Sequence, residues 1–180
     1  MKTGLLKQFV GMLFVMIGFT SSAWAADNTV KIAFVDTGNT GRSVTSAALA
    51  TAVINEKKLD AKVISRAINL DPYDIHPEAN FVTLLKPRGL DTSAHIATQF
   101  GVQDAKFSTV ILTMTEKHKN WVIANFPETK DKVFTLSEYA TGQQGEVLDA
   151  WGQPMDFYKK VLAQLDGLVG AAVTKATAKK

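Results

Sequence analysis

The chain has 180 residues, 46% hydrophobic, with 20 basic and 17 acidic side chains, a net charge of +3 at pH 7 and no cysteine. That length suits one domain with one substantial core. The near-balanced charge leaves no nucleic-acid footprint, and the missing cysteines exclude a disulfide framework and any thiol chemistry.

Residues 1–25 read as an export signal. Lys2 and Lys7 form a basic start, Phe9 to Phe19 an apolar run too short to span a bilayer, and Ala23-Trp24-Ala25 a small-x-small cleavage site. Cleavage after Ala25 would leave a domain over 26–180 in a periplasm or outside the cell, with no stable membrane anchor. Val30 to Val35 is β-branched and apolar and predicts a buried strand. A glycine-containing turn follows, and then Ser43 to Lys57, Ala-rich with apolar residues at helical spacing, predicts a helix. Ala61 to Arg66 predicts a second strand. Asn69 to Pro77, with Asp71-Pro72 and His76-Pro77, predicts a loop. A helix over Glu78 to Lys86 should stop at Pro87 and Gly89. Thr109 to Thr113 and Lys132 to Thr135 predict a third and a fourth, short strand, with a helix over Thr115 to Phe126 between them. Thr141 to Pro154 reads as a Gly-rich loop and Met155 to Leu168 as a closing amphipathic helix. Lys175, Lys179 and Lys180 read as a solvated tail. Alternating strands and helices predict an α/β three-layer sandwich around a four-stranded parallel sheet, with ligands beyond the carboxyl ends of the strands.

The turn after the first strand carries the chemistry. Asp36-Thr37-Gly38-Asn39-Thr40-Gly41-Arg42-Ser43 joins strand to helix the way a chain builds an anion cradle from backbone N–H groups. Asp36 and Arg42 flank five residues, the spacing of the Cys-x5-Arg loop of cysteine-dependent phosphatases. With the segments Thr109–Lys119, Asp131–Tyr139 and Val147–Gly152 in register behind it, the chain resembles the low-molecular-weight protein tyrosine phosphatase family, and within it the bacterial protein-arginine-phosphatase branch. The resemblance implies that Arg42 and Ser43 grip phosphate, that Gly38 and Asn39 shape the loop, and that Asp149 is the acid that protonates the leaving group. It implies that Thr37 helps to separate phosphoarginine from phosphotyrosine, and that aromatics near the acid loop, of which Trp151, Tyr139 and Phe157 are the candidates, wall the cleft.

The departures fall on the reactive atoms. Asp36 stands at the nucleophilic cysteine, Gly41 at the second loop cysteine, Val44 and Ala150 at two loop prolines. Three readings of Asp36 remain open. Its carboxylate can fold into the cradle as an internal anion, pairing with Arg42 and the loop N–H groups. It can act as nucleophile, with a metal ion offsetting the clash of charges. Or the loop is an inherited structural turn. The expected function is a pseudophosphatase that binds a protein or small-molecule ligand of unknown identity, without a cofactor. The alternative is a phosphohydrolase with Asp36 as nucleophile and Asp149 as general acid. His76, His95 and His118 have no metal-ligand spacing and read as surface or loop-packing residues, and Trp121 and Phe126 read as core.

Overall fold

The computed structural model describes residues 28–178, so the expected export signal lies outside the described residues. Four parallel strands form one sheet in the order β2-β1-β3-β4: β1 (Val30–Asp36), β2 (Ala61–Ala67), β3 (Val110–Thr113) and β4 (Val133–Thr135). The helices are α1 (Arg42–Lys57), α2 (Ala79–Leu85), α3 (Val102–Phe107), α4 (Glu116–Asn125), α5 (Leu136–Thr141) and α6 (Met155–Thr177). The three-layer α/β sandwich expected from the sequence is the fold that forms. Among the described residues no helix is long and apolar enough to cross a membrane.

β1 is the central strand, and alternate side chains feed opposite faces of the sheet. Ile32 and Phe34 enter the core shared with α1 and α6. Ala33 and Val35 enter the second core, with Phe100, Ala105 and Val122 from the α3 and α4 side. All four are fully buried, which is why the strand reads as a continuous apolar run. Burying Phe34 and Ile32 contributes about 1.5–3 kcal/mol each.

The helices α3, α5 and α6 go beyond the sequence reading. α3 and α5 lie where the sequence reading assigned neither helix nor strand, and both form as single short turns of helix fixed by their caps. Asp104 accepts from the Gly101 N–H (3.0 Å), and Thr135 accepts from the Glu138 N–H (3.1 Å) while Glu138 reaches back to the Thr135 N–H (3.3 Å). α6 runs on past Leu168, through Gly170, because Val169, Ala172 and Val173 bury on its inner face. Lys175 is therefore not in a solvated tail. It lies in the last turns of α6, where its ammonium donates to the Tyr139 carbonyl (2.9 Å) and sits 4.7 Å from the centre of the Tyr139 ring.

The strand order reverses between β1 and β3, since β1 is followed in space by β2 on one side and by β3 on the other. That reversal opens a crevice at the carboxyl ends of the two strands. The turn after β1 lies there.

Candidate functional site

The loop Asp36–Ser43 is pinned by its neighbours before any ligand is considered. The Asp36 and Thr37 carbonyls accept from the N–H groups of Ile68 and Asn69 (2.9 Å each), and the Thr40 carbonyl accepts from the Glu78 N–H (2.9 Å). Asn39 is the keystone. It is fully buried and adopts φ 60°, a left-handed conformation that Asn tolerates better than most residues. Its amide donates to Ser43 Oγ (2.9 Å), its side-chain oxygen accepts from the Thr98 N–H (2.9 Å), and its carbonyl accepts from His95 Nε2 (3.0 Å).

Asp36 turns into this loop. Oδ1 accepts from the Asn39 N–H at 2.6 Å and Oδ2 from the Ser43 N–H at 2.8 Å, with the side chain 3% exposed. Ser43 is in the first turn of α1, so the carboxylate also sits at the positive end of that helix. Burial pushes the Asp36 carboxyl above its ordinary range. The Ser43 N–H, the field of Arg42 and the Asn39 N–H oppose that shift.

Arg42 does not make the ion pair with Asp36 that the internal-anion reading anticipated. Its guanidinium reaches across to the acid loop, donating from Nη2 to Asp149 Oδ2 (2.8 Å) and from Nη1 to the Val147 carbonyl (3.2 Å). Arg42 is the first residue of α1 and its side chain projects toward this loop, whereas the Asp36 carboxylate is already taken up by two amides. Asp149 Oδ1 accepts from the Trp151 N–H (3.2 Å), and Trp151 itself is 69% exposed beside it. Thus Asp36, Arg42 and Asp149 gather at one crevice, with the loop residues Thr37, Gly38, Asn39, Thr40, Gly41 and Ser43 beneath and Trp151 at the rim. Tyr139 and Phe157, the other two aromatic candidates for the cleft wall, pack against the main core.

Three further side chains join the site that sequence reasoning did not place there. His118 is 3% exposed at the start of α4, and its Nε2 is 2.9 Å from Thr37 Oγ1. Burial, then Arg42 and Lys117, push its pKa down to about 4, so the ring is neutral at pH 7. Its Nδ1 is buried without a partner, and leaving a bare lone pair there costs less than leaving an N–H, so we assign the proton to Nε2, donating to Thr37. Glu78 is held by the Tyr158 hydroxyl, which donates to Oε2 at 2.5 Å. Its other oxygen lies over Gly41 so closely that a Cβ on Gly41 would stand 2.1 Å from Oε1. Burial, followed by the charges of Asp149 and Asp36, pushes the Glu78 carboxyl up against the opposing effects of Tyr158 and Arg42. The one local signal for this contact was the glycine at 41, which admits a neighbour where a side chain would not. Among the described residues no group of three or more His, Asp or Glu side chains is placed to hold a metal ion.

The profile described as low molecular weight phosphotyrosine protein phosphatase matches residues 31–180. The chain belongs to that family. A protein-arginine-phosphatase of Geobacillus stearothermophilus is 31% identical over 145 residues, covering 81% of this chain and 95% of that protein. Two solved structures extend the likeness to the backbone. A low molecular weight protein tyrosine phosphatase from T. tengcongensis superposes with a TM-score of 0.77 at 31% identity, covering 81% of this chain and 99% of its own. The YwlE arginine phosphatase, in a cysteine-to-serine form with a phosphorylated active-site serine, superposes with a TM-score of 0.79 at 29% identity, covering 84% and 98%. The end of β1 carries Asp36 in this chain. A carboxylate is bound to the loop amides, and no thiol exists anywhere in the sequence to take its place. Cysteine-dependent phosphoryl transfer is therefore not open to it.

Proposed function

We propose that this protein is an exported pseudophosphatase that binds a protein or small-molecule ligand through the cleft between Asp36–Ser43 and Asp149–Gly152. The observation that carries the reading is the pair of bonds from the Asn39 and Ser43 N–H groups to the Asp36 carboxylate. The loop's amides already serve an anion that belongs to the chain. Two unit charges about 4 Å apart interact by about 4 kcal/mol at an effective dielectric of 20, so a phosphate entering beside an ionised Asp36 is repelled on that scale. The engagement of Arg42 by Asp149 acts in the same direction, since the guanidinium must leave an existing partner to meet a phosphate. Export rests on the pattern of residues 1–25, and mass spectrometry of the protein from fractionated cells should find a chain beginning at Ala26 outside the cytoplasm.

The deciding assay is turnover of an aryl phosphate and of phosphoarginine by the purified protein, with and without Mg²⁺. No turnover by the native chain, and activity created by Asp36→Cys, is the expected pair of results. The second gives the loop back its nucleophile and asks whether the surrounding cradle is intact.

A second reading draws on the phosphorylated serine of the YwlE variant, which places an oxygen-bound phosphoryl group in the active site of a relative. On that reading an Asp36 oxygen attacks phosphorus, the bond to the leaving atom breaks, and a protonated Asp149 gives its proton to the leaving group. Water then cleaves the acyl phosphate, returning Asp36 and releasing phosphate. Turnover by the native chain that disappears in Asp36→Asn favours this reading over the first.

A further inference from the structure

A second hollow, separate from the crevice, lies along α1. It has a volume of about 430 Å³ and is enclosed by that helix, by Ser65 of β2 and by the chain from Gly89 to His95. That volume falls in the range of small-molecule sites. α1 contributes Val44, Ala47, Ala48 and Ala52, whose small side chains leave the space open, and the other segment contributes Leu90, Thr92 and His95. Two polar groups here lack partners. Thr92 Oγ1 is buried without a hydrogen bond. His95 must donate from Nε2 to the Asn39 carbonyl (3.0 Å), because a carbonyl can only accept, and the neutral ring then carries a bare acceptor at Nδ1. Among the described residues Nδ1 makes no hydrogen bond. Burial pushes the His95 pKa down against the Asn39 bond and the field of Asp36, so the ring is neutral at pH 7.5.

The geometry points to this hollow as a binding site for a small uncharged molecule with a flat apolar body and a hydroxyl, read by His95 and felt at the phosphate loop. The alanines of α1 and Leu90 suit the apolar body. A hydroxyl suits the polar end, because it can donate to Nδ1 and still accept from the unpartnered Thr92 O–H. Charge argues against an anion. Among the described residues that line the hollow there is no Lys or Arg, and the one ionised side chain is Asp91, whose carboxylate accepts from the Ser93 N–H. His95 also bridges the hollow to the loop, since its Nε2–H holds the carbonyl of Asn39, the residue at φ 60°. A donor bonded to Nδ1 polarises the ring and strengthens the Nε2–H bond on its far side. The effect arrives at Asn39, whose N–H is one of the two that bind Asp36. The inference goes beyond the pseudophosphatase reading and does not depend on it.

The test is solution NMR of the purified protein at pH 7.5, titrated with phenol, anisole and benzoate. Phenol carries the donor, anisole lacks it and benzoate is an anion. Phenol at millimolar concentration is expected to move the Ala48 and Leu90 amides and the His95 Nδ1 resonance, and with them the Asn39 amide. Anisole and benzoate should move them far less. Ala48→Leu and Ala52→Leu each put a branched side chain into the hollow and should weaken phenol binding about tenfold or more. Using both keeps the test open should one of them fold poorly. No response to phenol, an equal response to anisole or benzoate, a response confined to Trp151 in the crevice, or unaltered phenol binding in the variants overturns the inference. An Asn39 amide that stays still while His95 Nδ1 moves overturns the link to the loop. Turnover of an aryl phosphate, the result that overturns the pseudophosphatase reading, leaves this one untouched.

Discussion

Removing the internal anion is the sharpest perturbation this site allows. Asp36→Ala deprives the Asn39 and Ser43 N–H groups of acceptors at 2.6 and 2.8 Å in a position only 3% exposed. Hydrogen bonds to a charged group contribute about 1.5–3 kcal/mol each, so the two bonds together represent about 3–6 kcal/mol. Against that, the variant no longer buries a carboxylate, which offsets a few kcal/mol of the loss. The net expectation is a destabilisation of about 2–3 kcal/mol in phosphate-free buffer, or a fall in Tm of about 5–10 °C for a domain of this size. The same substitution vacates the anion seat and leaves Arg42 beside it. Phosphate should therefore bind the variant and restore stability, by about 2.7 kcal/mol at a concentration one hundred times its Kd. Urea denaturation of the native chain and of Asp36→Ala, each with and without inorganic phosphate, measures both effects. The native chain should respond weakly to phosphate and the variant strongly. Equal phosphate stabilisation of the two proteins would refute the idea that Asp36 occupies the seat, as would a variant that loses no stability and ignores phosphate.

Three other perturbations follow from the same structure. His118 is neutral in the folded protein down to pH about 4 but takes a proton near 6.5 when unfolded. The unfolded state thus binds more protons in that window, and stability must fall as pH drops through it, by about 3 kcal/mol when the window is crossed. His118→Gln should flatten this acid limb, as read from urea midpoints at pH 7 and pH 4.5. The Arg42–Asp149 pair joins a guanidinium with 7% side-chain exposure to a carboxylate with 59%, so its two halves should respond unequally. Asp149→Ala is expected to change stability by no more than about 1 kcal/mol, whereas Arg42→Ala also removes a buried stem and the bond to Val147 and should cost about 2–3 kcal/mol in the same denaturation assay. Gly167 and Gly170 lie inside α6, where an added Cβ meets nothing within 4 Å. Replacing either with Ala should raise stability by about 0.5–1 kcal/mol, visible as a small rise in Tm.

What the sequence disclosed and what it hid divide along sequence separation. The strand β1, the loop and α1 are contiguous, and their apolar run, turn residues and helical periodicity sit side by side, so both the architecture and the place of Asp36 were legible. The six-residue helices α3 and α5 are too short for periodicity to register, although Thr135 and Glu138 spell a capping box that marks the start of α5. Gly170 lowers helix propensity just beyond Leu168, where the expected helix ended, and burial of Val169, Ala172 and Val173 overrides it. The partners of the loop were beyond local inference. Thr37 meets His118 across 81 positions, Glu78 meets Tyr158 across 80, and Arg42 meets Asp149 across 107. The resemblance to known phosphatases bridged the last pair by naming Asp149, but it gave no hint that Arg42 would turn to that acid and away from Asp36.

A phosphate loop without its thiolate faces a physical problem that this chain resolves internally. The loop's form depends on amides turned toward a common point and on a residue at φ 60°, and neither is comfortable without something negative at that point. Where a thiolate is lost, the amides need another acceptor or the loop must refold. A carboxylate at the same position satisfies the Asn39 and Ser43 N–H groups without a ligand, and the supporting bonds among Asn39, Ser43, Thr98 and His95 are then free of any catalytic requirement. Keeping those residues is thus consistent with a structural demand as much as with an enzymatic one. Glu78 cannot be explained that way. No amide of the loop depends on its carboxylate, and its closeness to Asp36 and Asp149 makes its own ionisation harder. A cleft shaped only to persist would be relieved by Gln at that position. The acid at 78 is held by the Tyr158 hydroxyl and fits against Gly41, and Glu78→Gln, which keeps an acceptor for Tyr158, separates what its charge does from what its packing does.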